Sequence, residues 1–158
     1  MFVRSAFAVA VALQLAACAM PTLPSFLRFE GSKLDWDAVT LTAAANANRN
    51  TAVAVDVVLA LDAGIAQRLQ EMTADKWFAE RVDLQKTFPA GVKYLSWELV
   101  PGQTLSIPGS SLERPRVMEA YAFANYMVPG AHRQRIEVLK GALVVRLNEK
   151  NFEVIQTP

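Results

Sequence analysis

The sequence predicts a mostly β fold: a β-sandwich of seven to eight short strands with one short helical insertion. Three observations predict it. Residues 51–61 alternate strictly, with Val53, Val55, Val57, Leu59 and Leu61 on one face and Ala52, Ala54, Asp56, Val58 and Ala60 on the other. That is the period of two that a strand imposes. Turn signals then recur at short intervals, at Pro89-Ala90-Gly91, Pro101-Gly102, Pro108-Gly109 and Pro129-Gly130, as they do between strands of a sandwich. Finally, the helical pattern occurs once, after the second strand. It does not alternate with strands, which argues against a parallel α/β sheet.

The N-terminus reads as an export leader. Arg4 supplies the positive charge, residues 6–13 the short apolar core, and Leu15-Ala16-Ala17-Cys18 the end. The Leu-Ala-Ala-Cys run resembles the bacterial lipobox. That resemblance implies cleavage after residue 17, with Cys18 carrying a diacylglycerol thioether and an N-acyl chain. Each buried CH2 of such chains contributes about 0.8 kcal/mol of anchoring. By the bacterial sorting rule, Ala19 in place of Asp points to the outer membrane. Residues 18–32, with Pro21 and Pro24, read as a tether on which Phe26, Leu27 and Phe29 can dock against the body. The sandwich domain is expected over residues 33–158.

Within it, residues 36–41 form the first strand. The run from Ala43 to Asn50 holds three Asn in five positions, which favours turns and tolerates a left-handed backbone. Asp62 can cap a helix in which Ile65, Leu69 and Met72 recur at i, i+4 and i+7. Thr73 or Asp75 can restart a helical turn carrying Trp77 and Phe78, to seal the insertion onto the sheet. Residues 93–100 alternate with Leu95, Trp97 and Leu99 inward. Residues 103–107 follow with Leu105 and Ile107 inward. Further strands are expected at 117–128, 135–139, 142–147 and 152–155, the last two as a hairpin across the polar loop 148–151.

Composition excludes several functions. A length of 158 residues suits one domain, and 53% hydrophobic with 20% charged residues suits a packed core. The formal charge of +1 argues against a nucleic-acid partner. Loss of Arg4 with the leader removes even that excess. The one Cys and one His exclude an internal disulfide and Cys-rich or multi-His metal sites. No apolar stretch reaches the roughly 20 residues of a membrane helix.

The remaining chemistry is sparse. His132 lies in a Pro-Gly loop and is read as a solvated residue; paired with Glu113 or Asp35 it is the one candidate general base. No G-x-S-x-G elbow, phosphate loop or calcium loop is present. Asp35 and Asp37 read as a wet strand face, and Arg114, Arg116, Arg133 and Arg135 as solubilising surface. No catalytic residue, cofactor, metal or small-molecule substrate is expected. Trp36, Trp77 and Trp97 are expected in the core.

Several motifs together resemble a known family. A lipobox precedes a strand ending Leu41-Thr42-Ala43, then Asn46-Ala47-Asn48, then the Val-rich strand. After these come Asp75-Lys76-Trp77-Phe78, Leu99-Val100-Pro101-Gly102-Gln103 and the Ala/aromatic run from Ala120 to Tyr126. This is similar to the outer-membrane lipoprotein of the type VI secretion membrane complex, the TssJ-like family. Ala47 stands where that family often has Pro, and Asn50-Thr51-Ala52 where it often has Gly-Arg-Pro-type residues. The resemblance implies a transthyretin-like sandwich with an added helical segment. It also implies binding to the periplasmic domain of a large inner-membrane secretion protein through the loop between the first two strands. Carried onto this chain, that loop gives Asn46, Asn48, Arg49 and Asn50 as partner-binding residues. A pilotin or assembly lipoprotein for another outer-membrane channel is the alternative reading.

Overall fold

The elements run β1 (Ser32–Lys33), β2 (Asp35–Ala43), β3 (Val53–Ala60), α1 (Ala63–Glu71), α2 (Ala74–Thr87), β4 (Val92–Leu99), β5 (Thr104–Pro108), β6 (Arg116–Val117), β7 (Glu119–Ala124), β8 (Arg133–Ile136), β9 (Lys140–Leu147) and β10 (Phe152–Thr157). They belong to a computed structural model that describes residues 31–157. The leader, Cys18 and the aromatic residues of the tether lie outside the described residues.

Eight strands form two four-stranded sheets, ordered β10-β9-β2-β5 and β4-β3-β7-β8. The two-residue strands β1 and β6 pair as a small ribbon at one end. Neighbours are antiparallel except β2 and β9, which run parallel. The β-sandwich expected from alternation is therefore present, with the expected hairpin between β9 and β10 in the register Phe152↔Leu147.

Strand β3 organises three layers. Val53, Val55, Val57 and Leu59 face the first sheet and pack with Val39, Leu41, Leu143, Val145 and Leu147. On its other face Val58 and Ala60 pack beneath the helices with Ile65, Leu69, Trp77 and Leu84. Strand β7 repeats the scheme. Ala120, Ala122 and Ala124 turn to the sandwich interior, Tyr121 and Phe123 to the helices. On β7 the small residues face the opposite sheet and the large ones the helices, matching the space each layer leaves there. Trp36 is buried; Trp97 is half-buried, because β4 is an edge strand.

The helical insertion is larger than the sequence suggested. Asp62 caps α1 by accepting from Ile65 N at 2.9 Å, as expected. Thr73 caps α2, which then runs for 14 residues instead of one turn. Its apolar stripe holds Trp77 and Leu84, but the position between them on the same face is Arg81. That charge hides the helical period, and its partner lies on β3. Asp56, fully buried, accepts from Trp77 Nε1 at 2.8 Å, Arg81 Nη1 at 2.6 Å and Ser96 Oγ at 2.6 Å. The Trp77 ring also stacks on Phe123 at 5.4 Å and meets Tyr94 edge-on. A buried carboxylate with three donors is compensated, and it fixes the register of α2 on the sheet.

Two strand expectations shift. The stretch 117–128 is not one strand, since β7 ends at Ala124 and residues 125–128 leave the sheet. Asn125 N turns back to Ala54 O, at 2.8 Å. The strand expected at 135–139 runs from Arg133 to Ile136.

Candidate functional site

Four connections meet at one end of the sandwich: 44–52, 100–103, 125–132 and 148–151. The strand registers place them there. Val53 pairs with Leu99 and Val55 with Ala124 in one sheet; Ala43 pairs with Leu147 and Thr42 with Thr104 in the other. The chain enters at the opposite end, where Ser32 pairs with Val117 and Met118 N bonds Ala60 O.

The first connection is unusual in its backbone. Asn48, Arg49 and Asn50 all have positive φ, at 46°, 56° and 64°. Asn tolerates this region; Arg does so at a cost. The neighbouring turn shows the ordinary solution, with Gly102 at φ 79° and its N–H on the carbonyls of Ala43 and Ala44. Left-handed backbone without glycine persists where surrounding contacts over-determine it.

Asn48 supplies those contacts. Its side chain is buried, although the resemblance gave it as one of the partner-binding residues. Nδ2 donates to Ala52 O at 2.9 Å, and Oδ1 accepts from Met127 N at 2.8 Å. Its own N–H reaches Asn148 O at 3.2 Å, and its carbonyl accepts from Thr51 Oγ1 at 2.6 Å. One residue thus ties three connections together.

Two further brackets reinforce this end. The Tyr126 hydroxyl lies against the carbonyls of Asn148 and Asn151, and Asn46 Nδ2 donates to Glu149 Oε2 at 3.1 Å. Burial pushes the Tyr126 hydroxyl up to about 12, so it stays a neutral donor at physiological pH.

Of the four candidate residues in this loop, Asn46, Arg49 and Asn50 are exposed and Asn48 is not. The side chain of Asn48 is committed inside, so only the other three present side chains to solvent. The sequence reading missed Met127 and Val100, the two most exposed large apolar side chains among the described residues, at 63% and 56%. Met127 had been absorbed into an apolar run, and Asn125 was the available signal that the strand had ended.

His132 is not the solvated loop residue expected. Its ring stacks on Tyr126 at 4.8 Å, and Nε2 lies 2.6 Å from Val128 O. A carbonyl only accepts, so that nitrogen carries the proton. Its possible carboxylate partners are engaged elsewhere, Glu113 with Lys93 and Asp35 with Arg114. The arginines read as solubilising surface lie at the surface and make local contacts. Arg135 pairs with Glu119, Arg133 donates to Met72 O, and Arg116 to Gly31 O. Among the described residues no cluster of His, Cys, Asp or Glu is arranged to hold a metal, and no helix is long and apolar enough to cross a membrane.

No family model matches the chain, and no curated protein matches it in sequence. Solved structures do match in shape. The crystal structure of the type VI secretion lipoprotein TssJ1 from Pseudomonas aeruginosa superposes with a TM-score of 0.57 at 15% identity, over 81% of this chain and 98% of that one. A chain of a type VI membrane complex gives 0.57 at 10%, over 80% and 99%. A structure described as the TssM C-terminal domain from EAEC gives 0.54 at 9%, over 76% and 97%. Across nearly the whole length of these chains, the protein has the TssJ-like fold.

Proposed function

We propose that this chain is an outer-membrane-anchored lipoprotein subunit of a type VI secretion membrane complex. It is held by lipid on Cys18 and binds the periplasmic domain of the inner-membrane subunit through its clamped loop end. The observation that carries the reading is the TssJ-like fold over the body of a chain whose leader ends in Leu15-Ala16-Ala17-Cys18. The polarity of the domain supports it. The chain enters at one end, while Asn46, Arg49 and Asn50 stand exposed at the other, the end that would face across the periplasm. The protein then works by docking and not by catalysis, in keeping with the engaged state of His132.

Crosslinking in cells followed by mass spectrometry of the captured partners tests the docking. Recovery of a large inner-membrane protein with a periplasmic C-terminal domain is expected. Recovery of an outer-membrane channel alone overturns the reading in favour of a pilotin. Fractionation tests the anchor: Cys18→Ser is expected to leave the outer-membrane fraction, and its retention there refutes the lipid anchor.

A further inference from the structure

We propose that the docking surface is a composite of two loops in which Arg49 and Met127 act together, and that the partner meets it with a carboxylate set beside an apolar recess. This rests on the docking function proposed above and adds its chemistry.

The two side chains come from different connections, 44–52 and 125–132, yet one clamp positions both. Met127 N is held by Asn48 Oδ1 at 2.8 Å, and Thr51 Oγ1 lies 3.4 Å from Met127 Sδ. Arg49 follows Asn48 directly and is turned out by its left-handed backbone. It makes no ion pair among the described residues, and the nearby acid Glu149 is occupied by Asn46. An exposed guanidinium favours a planar carboxylate.

Met127 is 63% exposed, and Val100 at the same end is 56% exposed. The remaining large exposed apolar side chains are scattered over α2, its C-cap and β10. The thioether is unbranched and adaptable, suited to filling a recess. Because the backbone on both sides is already bonded, docking orders little chain.

The test uses the full lipidated protein in detergent and the purified periplasmic C-terminal domain of the type VI inner-membrane subunit from the same bacterium. Met127→Ala is expected to weaken binding at least tenfold, mainly through faster dissociation, and Met127→Leu to retain it. Arg49→Glu is expected to weaken it at least tenfold through slower association, with a flatter salt dependence. Thermal melting of each variant separates lost contact from lost fold. Wild-type binding with both Met127→Ala and Arg49→Glu within twofold of it overturns the composite surface while leaving the docking function standing. No binding by the wild type sinks the docking function, and the composite surface falls with it.

Discussion

The described residues bury two polar or charged side chains, Asp56 and Asn48, and the two organise opposite kinds of region. Asp56 lies in mid-strand under α2, with Trp77, Arg81 and Ser96 all donating to it. Asn48 lies at the sandwich end, with Arg49 and Asn50 turned out beside it. A charged hub with three donors holds a helix in place. A neutral amide with one donor and one acceptor in use holds loops together and leaves their tips available. The difference teaches what each clamp is for. Charge is used where a mobile alternative must be excluded from the body, and an amide where a surface must be presented.

The largest expected effect breaks the charged hub. Asp56→Ala leaves Trp77 Nε1 without its acceptor and Arg81 without its counter-charge. Removing one member of a buried pair typically costs 3–5 kcal/mol. The Arg81 side chain is 26% exposed and can turn to water, so the loss is expected near the low end, about 3 kcal/mol. Urea unfolding of Asp56→Ala reads it as a lower midpoint. A loss below about 1 kcal/mol would mean that Trp77 packing alone docks α2. The folded fraction of this variant is expected to bind the partner domain normally.

Asn48→Ala sharpens the contrast. It strands the Met127 N–H and the Ala52 carbonyl, at about 1–3 kcal/mol. Here the stability loss is smaller and the binding loss larger. The same urea titration and the same binding assay on both variants check this crossing. If the two variants lose binding in proportion to stability, the clamps do not differ in purpose.

These two residues also mark how far the sequence could be read. Strand β3, the cap at Asp62, the hairpin across 148–151 and the left-handed Asn run were all legible, because period and turn chemistry are local. Asp56 was legible only as one member of a face. A lone carboxylate in an alternating strand reads as wet until a helix supplies Trp77 and Arg81 above it. The same ion pair hid α2, since Arg81 interrupts the stripe that would have announced the helix. Asn48 was found as a turn residue, but its burial depends on Met127 and Asn148, both far along the chain. For Met127 the one local signal is Asn125, which marks the end of the strand but does not say that the methionine beyond it stays exposed.

The smallest expected effect has the opposite sign from the others. Arg49 sits at φ 56° and ψ 44°, where a side chain with a Cβ is strained by about 1 kcal/mol. Arg49→Gly removes that strain while giving the unfolded chain more freedom, so the two terms partly offset. A net gain of roughly 0.5 kcal/mol in unfolding free energy is expected, read by the same urea titration. The guanidinium disappears with the strain, so binding to the partner domain should fall. A variant that is more stable yet binds less would identify Arg49 as held in a strained state for contact. If Arg49→Gly instead lowers stability, its side chain contributes to the fold of the loop, and the division between a clamp at Asn48 and a presented tip at Arg49 fails.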